Sequence, residues 1–303
     1  MYADPFFRQR ISGIFRLQGN QGVQRSLKDV IATIREVGSS IAIKYTAEQF
    51  EHDVEVYVTH LERTFRYLKL VGVIPKDRGT ENKDPELNGI FVSLHVMLMS
   101  PTAFNGGKPT SIVDLLGDTH YVVLLGGPGS GKSTVTRYLA WSHALANLSH
   151  STASLVDIPL LPGKQIPLRI ELRRLSEDRR QNPCYNFLSY VTEVLLKREG
   201  IKINPQMFKE LLERRFMLLL FDGLDEVATL DERARIIEEI EHFTRSYPGN
   251  RVLVTSRPIG YELARFSDQW FSHAQVQDFD DDQIKHFLER WYTYVLGVWQ
   301  GFS

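Results

Sequence analysis

Tyr121-Val122-Val123-Leu124-Leu125-Gly126-Gly127-Pro128-Gly129-Ser130-Gly131-Lys132-Ser133-Thr134 is the stretch whose reading decides the fold. An apolar run leads into a turn that is mostly glycine, and Val135, Tyr138, Trp141 and Leu145 then recur at helical spacing. The order is strand, loop, helix. Gly126 to Ser133 satisfies G-x-x-x-x-G-K-[ST], in which small residues let backbone N–H groups converge on phosphate oxygens and the lysine supplies a point charge at the β/γ position. Gly126, Gly127, Pro128, Gly129, Ser130, Gly131, Lys132, Ser133 and Thr134 are therefore candidate phosphate-binding residues, and the Ser133 hydroxyl is a candidate Mg²⁺ ligand. The dipole at the start of the following helix adds to the attraction for an anion. An eight-residue match alone is weak, and the legible strand before it and helix after it make it specific.

A second motif lies downstream. Phe216-Met217-Leu218-Leu219-Leu220-Phe221 is a continuous apolar run, as expected of a strand buried on both faces of a parallel sheet, and it ends in Asp222-Gly223-Leu224-Asp225-Glu226. Carboxylates at the C-terminal end of such a strand sit where open α/β sheets bind ligands. Asp222 is the candidate metal-side carboxylate. Glu226 is the candidate general base that polarises the attacking water, and Asp225 is open to either role in support. A third strand, Arg251-Val252-Leu253-Val254, ends in Thr255-Ser256-Arg257-Pro258 and brings hydroxyls and a guanidinium to the same edge. Arg257 is a candidate reader of the γ-phosphate, because a bidentate donor gains its bonds only when the anion is there.

Composition bounds the rest. At 303 residues, with 43% hydrophobic and 24% charged, the chain is of ordinary globular type with room for two domains. A formal net charge of -1 leaves no electrostatic footprint for nucleic acid or for an anionic membrane. Cys184 is the single cysteine, which excludes an internal disulfide and a cysteine-based zinc cluster and suits a reducing compartment. No signal-peptide pattern opens the chain and no run of eighteen apolar residues occurs, so the expected location is cytoplasmic.

Working outward, residues 1 to about 25 read as a loose arm, and helices are expected over 26–37 and 46–70. In the second, Phe50, Val54, Tyr57, Leu61, Phe65 and Leu68 keep one face apolar. His52 and His60 lie two turns apart on it, too distant to share a metal. Residues 75–88 read as a polar loop. Its Asn82-Lys83-Asp84 falls short of a guanine-reading tetrad, because Pro85 follows and the segment precedes the phosphate loop. Ile90 to Val96 alternates like a strand, and Ser100 to Pro109 is rich in turn residues. The expected organisation is a mainly helical region over 1–100, a linker over 101–118, an α/β nucleotide-binding domain over 119–278 with a five-stranded parallel sheet flanked by helices, and the start of a further helical segment over 279–303. Ile166, Leu168, Ile170 and Leu172 alternate with Arg169, Glu171 and Arg173, which predicts a strand near a sheet edge. Asn204-Pro205 and Thr229 with Glu232 mark helix starts.

Together, Gly-Gly-Pro-Gly-Ser-Gly-Lys-Ser-Thr, Leu-Leu-Leu-Phe-Asp-Gly-Leu-Asp-Glu and Val-Leu-Val-Thr-Ser-Arg-Pro resemble the NACHT branch of the signal-transduction ATPases with numerous domains, over about residues 110 to 295. The small Gly223 after the metal aspartate, followed by two acids, is the feature that separates NACHT proteins from their plant-type relatives. The resemblance implies a P-loop NTPase fold, binding of ATP or ADP with Mg²⁺, and a nucleotide-controlled switch that oligomerises and activates an effector. Bacterial members are associated with anti-phage defence. It further implies phosphate contacts from Gly129, Gly131, Lys132, Ser133 and Thr134, Mg²⁺ at Asp222, water at Glu226 and the sensor-1 position at Arg257. Such proteins continue into a winged-helix segment and a repeat-rich sensor, whereas this sequence stops at Ser303. The expectation is a shortened member whose aromatic tail, Trp291 to Trp299, meets a second copy or a larger partner.

Three functions are open on the sequence. A slow ATPase switch is favoured by Asp222, Asp225 and Glu226. A nucleotide-binding adaptor that pairs with a larger protein needs no hydrolysis. A small-molecule kinase would want a lid and an acceptor pocket, which the helical N-terminal region does not offer.

Overall fold

The computed structural model describes residues 45–68, 84–99, 108–148, 160–182 and 185–295. The arm over 1–25, the helix over 26–37, most of the loop over 75–88, the linker over 100–107, Cys184 and the tail beyond Val295 lie outside the described residues.

The described chain is a three-layer α/β unit. Its sheet contains β1 (His95–Leu98), β2 (Thr110–Ser111), β3 (Tyr121–Leu125), β4 (Ile166–Glu171), β5 (Met217–Asp222), β6 (Arg251–Ser256) and β7 (Ser272–Val276), in the order β2-β1-β7-β3-β6-β5-β4. The run β7-β3-β6-β5-β4 is parallel throughout. β1 joins β7 antiparallel with Val96 opposite Val276, and β2 joins β1 antiparallel. The sheet is thus seven-stranded and mixed, which corrects the expectation of five parallel strands. The two added strands cover the edge that β7 would otherwise leave unpaired.

Strand position follows from residue type. Every residue of β5 and β6 is buried, as is all of β3 after Tyr121. Continuous burial of this kind requires neighbours on both sides and helices on both faces. β4, with its polar alternation, is the edge strand, as the sequence predicts. Helices Lys132–Ala146, Leu172–Gln181, Gln206–Glu213 and Leu230–Ser246 connect the parallel strands. Thr229 caps its helix as expected, Oγ1 accepting from Glu232 N at 3.2 Å, whereas the helix expected to start with Asn204 at its cap begins at Gln206 with Pro205 at the cap, and Asn204 Oδ1 accepts from Gln206 N at 2.9 Å. Between Phe187 and Arg198 the chain includes a π-helical turn, Tyr190–Leu195, that the sequence did not announce.

Residues from Ala47 onward form one compact unit. Helix Ala47–Phe65 buries Phe50, Val54, Tyr57, Val58 and Leu61, and complete burial of each such side chain is worth about 1.5–3 kcal/mol. Tyr57 lies edge-on to Phe208, with ring centroids 5.1 Å apart, and donates its hydroxyl to the Pro167 carbonyl at 3.1 Å. Asp53 accepts from the Asn204 backbone N–H at 2.9 Å. The strand expected over 90–96 is instead a helical turn, Leu87–Ile90, an irregular stretch, and then β1. Phe91 and Leu94 join the core beside the P-loop helix, where Phe91 stacks on Tyr138 with centroids 3.6 Å apart, and the backbone of 91–94 pairs with no strand.

One buried histidine ties the P-loop helix to the segment that enters β4. His143 is 2% exposed, with Nδ1 at 3.0 Å from the Leu139 carbonyl, and its Nε2 accepts from Leu161 N at 3.1 Å. Burial lowers its pKa from 6.5 to about 4. The unfolded chain therefore binds a proton between those values that the folded chain excludes, so stability is complete above 6.5 and is lost as pH falls toward 4. We expect urea unfolding to show a loss of about 3 kcal/mol over that window beyond the loss in His143→Phe, from the shift at 1.36 kcal/mol per pH unit. Equal pH slopes in the two proteins would show that His143 is charged in the fold.

Candidate nucleotide site

Three parallel strands end at one edge: β3 at Leu125, β5 at Asp222 and β6 at Ser256. A crevice at the carboxyl ends of an open sheet is where such folds take ligands. From β3 the chain turns through Gly126 to Gly131 and enters the helix at Lys132. Gly129 and Gly131 have φ of 75° and 84°, a left-handed backbone that a Cβ disfavours. Lys132 Nζ donates to the carbonyls of Gly126 at 2.6 Å and Gly127 at 2.8 Å and to Ser130 Oγ at 3.3 Å. Burial holds this ammonium below the usual lysine range, while the carboxylates of Asp225, Asp222 and Glu226 oppose that shift.

Asp222 is 7% exposed, and both of its oxygens are engaged. Oδ1 accepts from Thr255 Oγ1 at 2.7 Å and from Ser133 Oγ at 3.2 Å, and Oδ2 accepts from Arg169 Nη2 at 2.5 Å. Arg169 also donates to Glu171 Oε1 at 2.7 Å and to Thr136 Oγ1 at 3.1 Å. The sequence placed Arg169 only on the polar face of an edge strand; that face turns out to point at Asp222. Ser133 and Asp222, expected from separate motifs, are brought together. Their hard oxygens at the lip of the phosphate loop fit Mg²⁺, which keeps several waters and takes one or two protein ligands beside substrate phosphates. Among the described residues no group of three or more His, Cys, Asp or Glu is placed to hold a metal ion.

Gly223, with φ of 80°, turns the chain sharply after Asp222 into a 3₁₀ turn, Leu224–Glu226, and its N–H donates to Thr255 Oγ1 at 2.9 Å. Asp225 turns to Arg257: Oδ2 meets Arg257 Nε at 2.9 Å and Oδ1 accepts from Arg257 N at 3.1 Å. Arg233 braces the same turn from below, donating to the carbonyls of Asp225 at 2.7 Å and Val227 at 2.9 Å. Glu226 is left with its carboxyl exposed. Partial burial raises its pKa, Asp225 and Asp222 push it further up, and Arg173 and Arg257 oppose. Of the two acids after Gly223, one anchors the arginine and the other stays exposed with a raised pKa.

Beside the loop is a cavity of about 710 Å³ whose other walls mix apolar Phe91, Leu94, Val276, Phe287 and Trp291 with polar Gln275, Gln277 and Asp278. Its walls are clamped together: Gln283 Nε2 donates to the Ser93 carbonyl at 2.7 Å, and Arg290 Nη1 to the Asn88 carbonyl at 2.9 Å. Trp291, expected to begin an uncovered tail, lines this cavity and lies 5.8 Å from the Phe287 ring, within helix Asp281–Val295. No motif marked these residues. Their signal was apolar spacing, which does not distinguish a cavity wall from a core.

A Cβ at position 223 would meet Glu226 Cδ at 3.2 Å in a backbone conformation that side chains avoid. Gly223→Ala is expected to cost about 1–3 kcal/mol in urea unfolding. An unchanged midpoint would mean that the turn relaxes out of the left-handed region and that Glu226 does not depend on it.

Residues 120–294 match the NACHT domain family. Over 187 residues, 55% of this chain, the sequence is 26% identical to an uncharacterized WD repeat-containing protein of Nostoc sp. strain PCC 7120, and the chain spans 12% of that protein's length. Among the described residues no helix is long and apolar enough to cross a membrane. The P-loop, the acidic strand end and the family match coincide on the same stretch, and the chain belongs to the NACHT family of P-loop NTPases.

Proposed function

We propose that this chain is the nucleotide-binding module of a signalling switch that takes ATP or ADP with Mg²⁺ and hydrolyses ATP slowly. The observation that carries this reading is the joining of Ser133, Asp222 and Thr255 at the mouth of a phosphate loop that opens onto a cavity of about 710 Å³. The loop from Gly126 to Thr134 takes the phosphates, with Lys132 exchanging its loop carbonyls for β- and γ-oxygens. The cavity takes the nucleoside, its apolar side chains covering the base and Gln275, Gln277 and Asp278 fixing its orientation. Ser133 and Asp222 hold Mg²⁺, which when bound neutralises the charge that develops on the phosphates. Glu226 accepts a proton from the attacking water. Arg257, held by Asp225, faces the γ-phosphate end and reports on its presence. The WD-repeat relative supports a role for this module inside a larger signalling assembly, with a sensor or effector as partner.

A second reading is an adaptor that binds nucleotide without hydrolysis. Arg169 favours it, since it already neutralises one oxygen of Asp222 from within the protein.

Calorimetry of ATP and ADP with Mg²⁺, wild type beside Lys132→Ala, tests the binding step. The lysine is expected to contribute about 1.5–3 kcal/mol, the scale of a hydrogen bond to a charged group. Equal affinities would remove the loop from the reading.

Turnover tests the base. Because the Glu226 pKa is raised, the carboxylate is gained only as pH climbs above the usual range, so the acid limb of the rate profile should lie above 4.5. Glu226→Gln should lose that limb and roughly 10²- to 10⁴-fold in rate. A Glu226→Gln protein as fast as wild type would favour the adaptor.

A further inference from the structure

On the far side of Arg169 from the phosphate loop lies a second cleft, of about 260 Å³, between helix Ala47–Phe65, the end of β4 and the π-helical turn Tyr190–Leu195. Four guanidinium groups reach it, Arg137, Arg169, Arg174 and Arg198, against the carboxylates of Glu171 and Glu199. Most of this charge is already matched. Arg169 is bound to Asp222 and Glu171, Arg174 to Glu171 at 2.7 Å, and Arg198 to Asp178 at 2.7 Å. Glu199 in turn lies 3.5 Å from His60.

Arg137 differs. It projects from the P-loop helix one turn after Ser133, is half-buried, and hydrogen-bonds to no described residue. Burial and the neighbouring Arg169 both work against its charge, with Glu171 in partial opposition. A guanidinium carries five N–H donors in a planar fork and does not give up its proton, and Arg137, half-buried beside the Arg169 cation, has its fork open to an incoming acceptor. The acceptor that suits the fork is a planar or tetrahedral oxyanion, bound through two parallel hydrogen bonds. The rest of the lining limits what the oxyanion is attached to. Phe65 and Tyr67 keep exposed ring surface beside the cleft, and Leu195 with the buried Tyr57, Tyr190 and Leu196 completes its apolar lining.

We propose that this cleft is a binding site, separate from the nucleotide site, for a small anion carried on a flat apolar body, with Arg137 as the group that pairs with the anion. The charge comes from Arg137, because its neighbours are committed elsewhere, and the selectivity for an apolar body comes from the rings. An aryl phosphate and an aromatic carboxylate share this chemistry. The inference stands on the cleft alone and does not depend on what the phosphate loop binds.

The test is calorimetry of the full chain carrying Lys132→Ala, which removes the phosphate loop from the measurement, with phenyl phosphate, benzoate and inorganic phosphate as probes. Saturable binding of phenyl phosphate or benzoate is expected, and which of the two is tighter names the source of the anion. Adding Arg137→Gln should weaken it roughly tenfold to a hundredfold, the loss of a charged hydrogen bond. Adding Leu195→Trp, which fills the cleft without touching a charge, should abolish it, and thermal unfolding of each protein verifies that it is folded. No binding in the Lys132→Ala chain, or binding unchanged by both added substitutions, overturns the proposal. Inorganic phosphate held as tightly as phenyl phosphate overturns its apolar half.

Discussion

The arrangement around the nucleotide edge depends on one buried carboxylate. Asp222 sits at the end of a fully buried strand with little water to solvate it, and a charge so placed is tolerated only when its oxygens are paired. The partners come from three other elements: Ser133 from the P-loop helix, Thr255 from β6 and Arg169 from β4. Satisfying this single group therefore sets the spacing of four pieces of chain. Removing one partner leaves a buried charge uncompensated, which is costlier than the loss of one hydrogen bond suggests.

Strand order makes those contacts available. β6 lies between β3 and β5, so the phosphate loop and the acidic strand end are not hydrogen-bonded neighbours; Ser133 reaches across to Asp222, and Thr255 of the intervening strand holds both Asp222 and Gly223 N. β4 on the far side of β5 lets Arg169 reach Asp222 from the edge. The same arginine lies with its guanidinium 5.7 Å from the Phe65 ring centroid, so the helix Ala47–Phe65 helps to close the space around it. A residue of the N-terminal region thus packs against the arginine that pairs with Asp222.

Legibility varied with how local the determinant was. The phosphate loop could be read because its glycines, lysine and hydroxyl are consecutive, and the flanking strand and helix have strong periodicity. The acidic strand end could be read because an apolar run that stops at a carboxylate is unusual. The parallel part of the sheet followed from such runs, but β1 and β2 were missed as sheet members, being short segments whose antiparallel pairing depends on β7 far downstream. Where helix Ala47–Phe65 packs was not legible for the same reason: an amphipathic helix announces that it packs, not against what. Arg169 was seen as polar decoration, since only the neighbouring strand shows which carboxylate its face meets.

By itself the sequence determined which residue types stand at the strand ends, which backbone positions need glycine, and hence the class of fold and the phosphate-directed chemistry of its loop. These properties are local, written in residues that touch through the backbone or within one turn. Only the tertiary structure decided that Ser133, Thr255 and Arg169 share one carboxylate, that Asp225 holds Arg257 while Glu226 stays exposed, and that Arg137 faces a second cleft. The physical reason is that pairing of buried charge is settled by geometry between residues 30 to 90 positions apart, and no periodicity within a strand or helix carries that information.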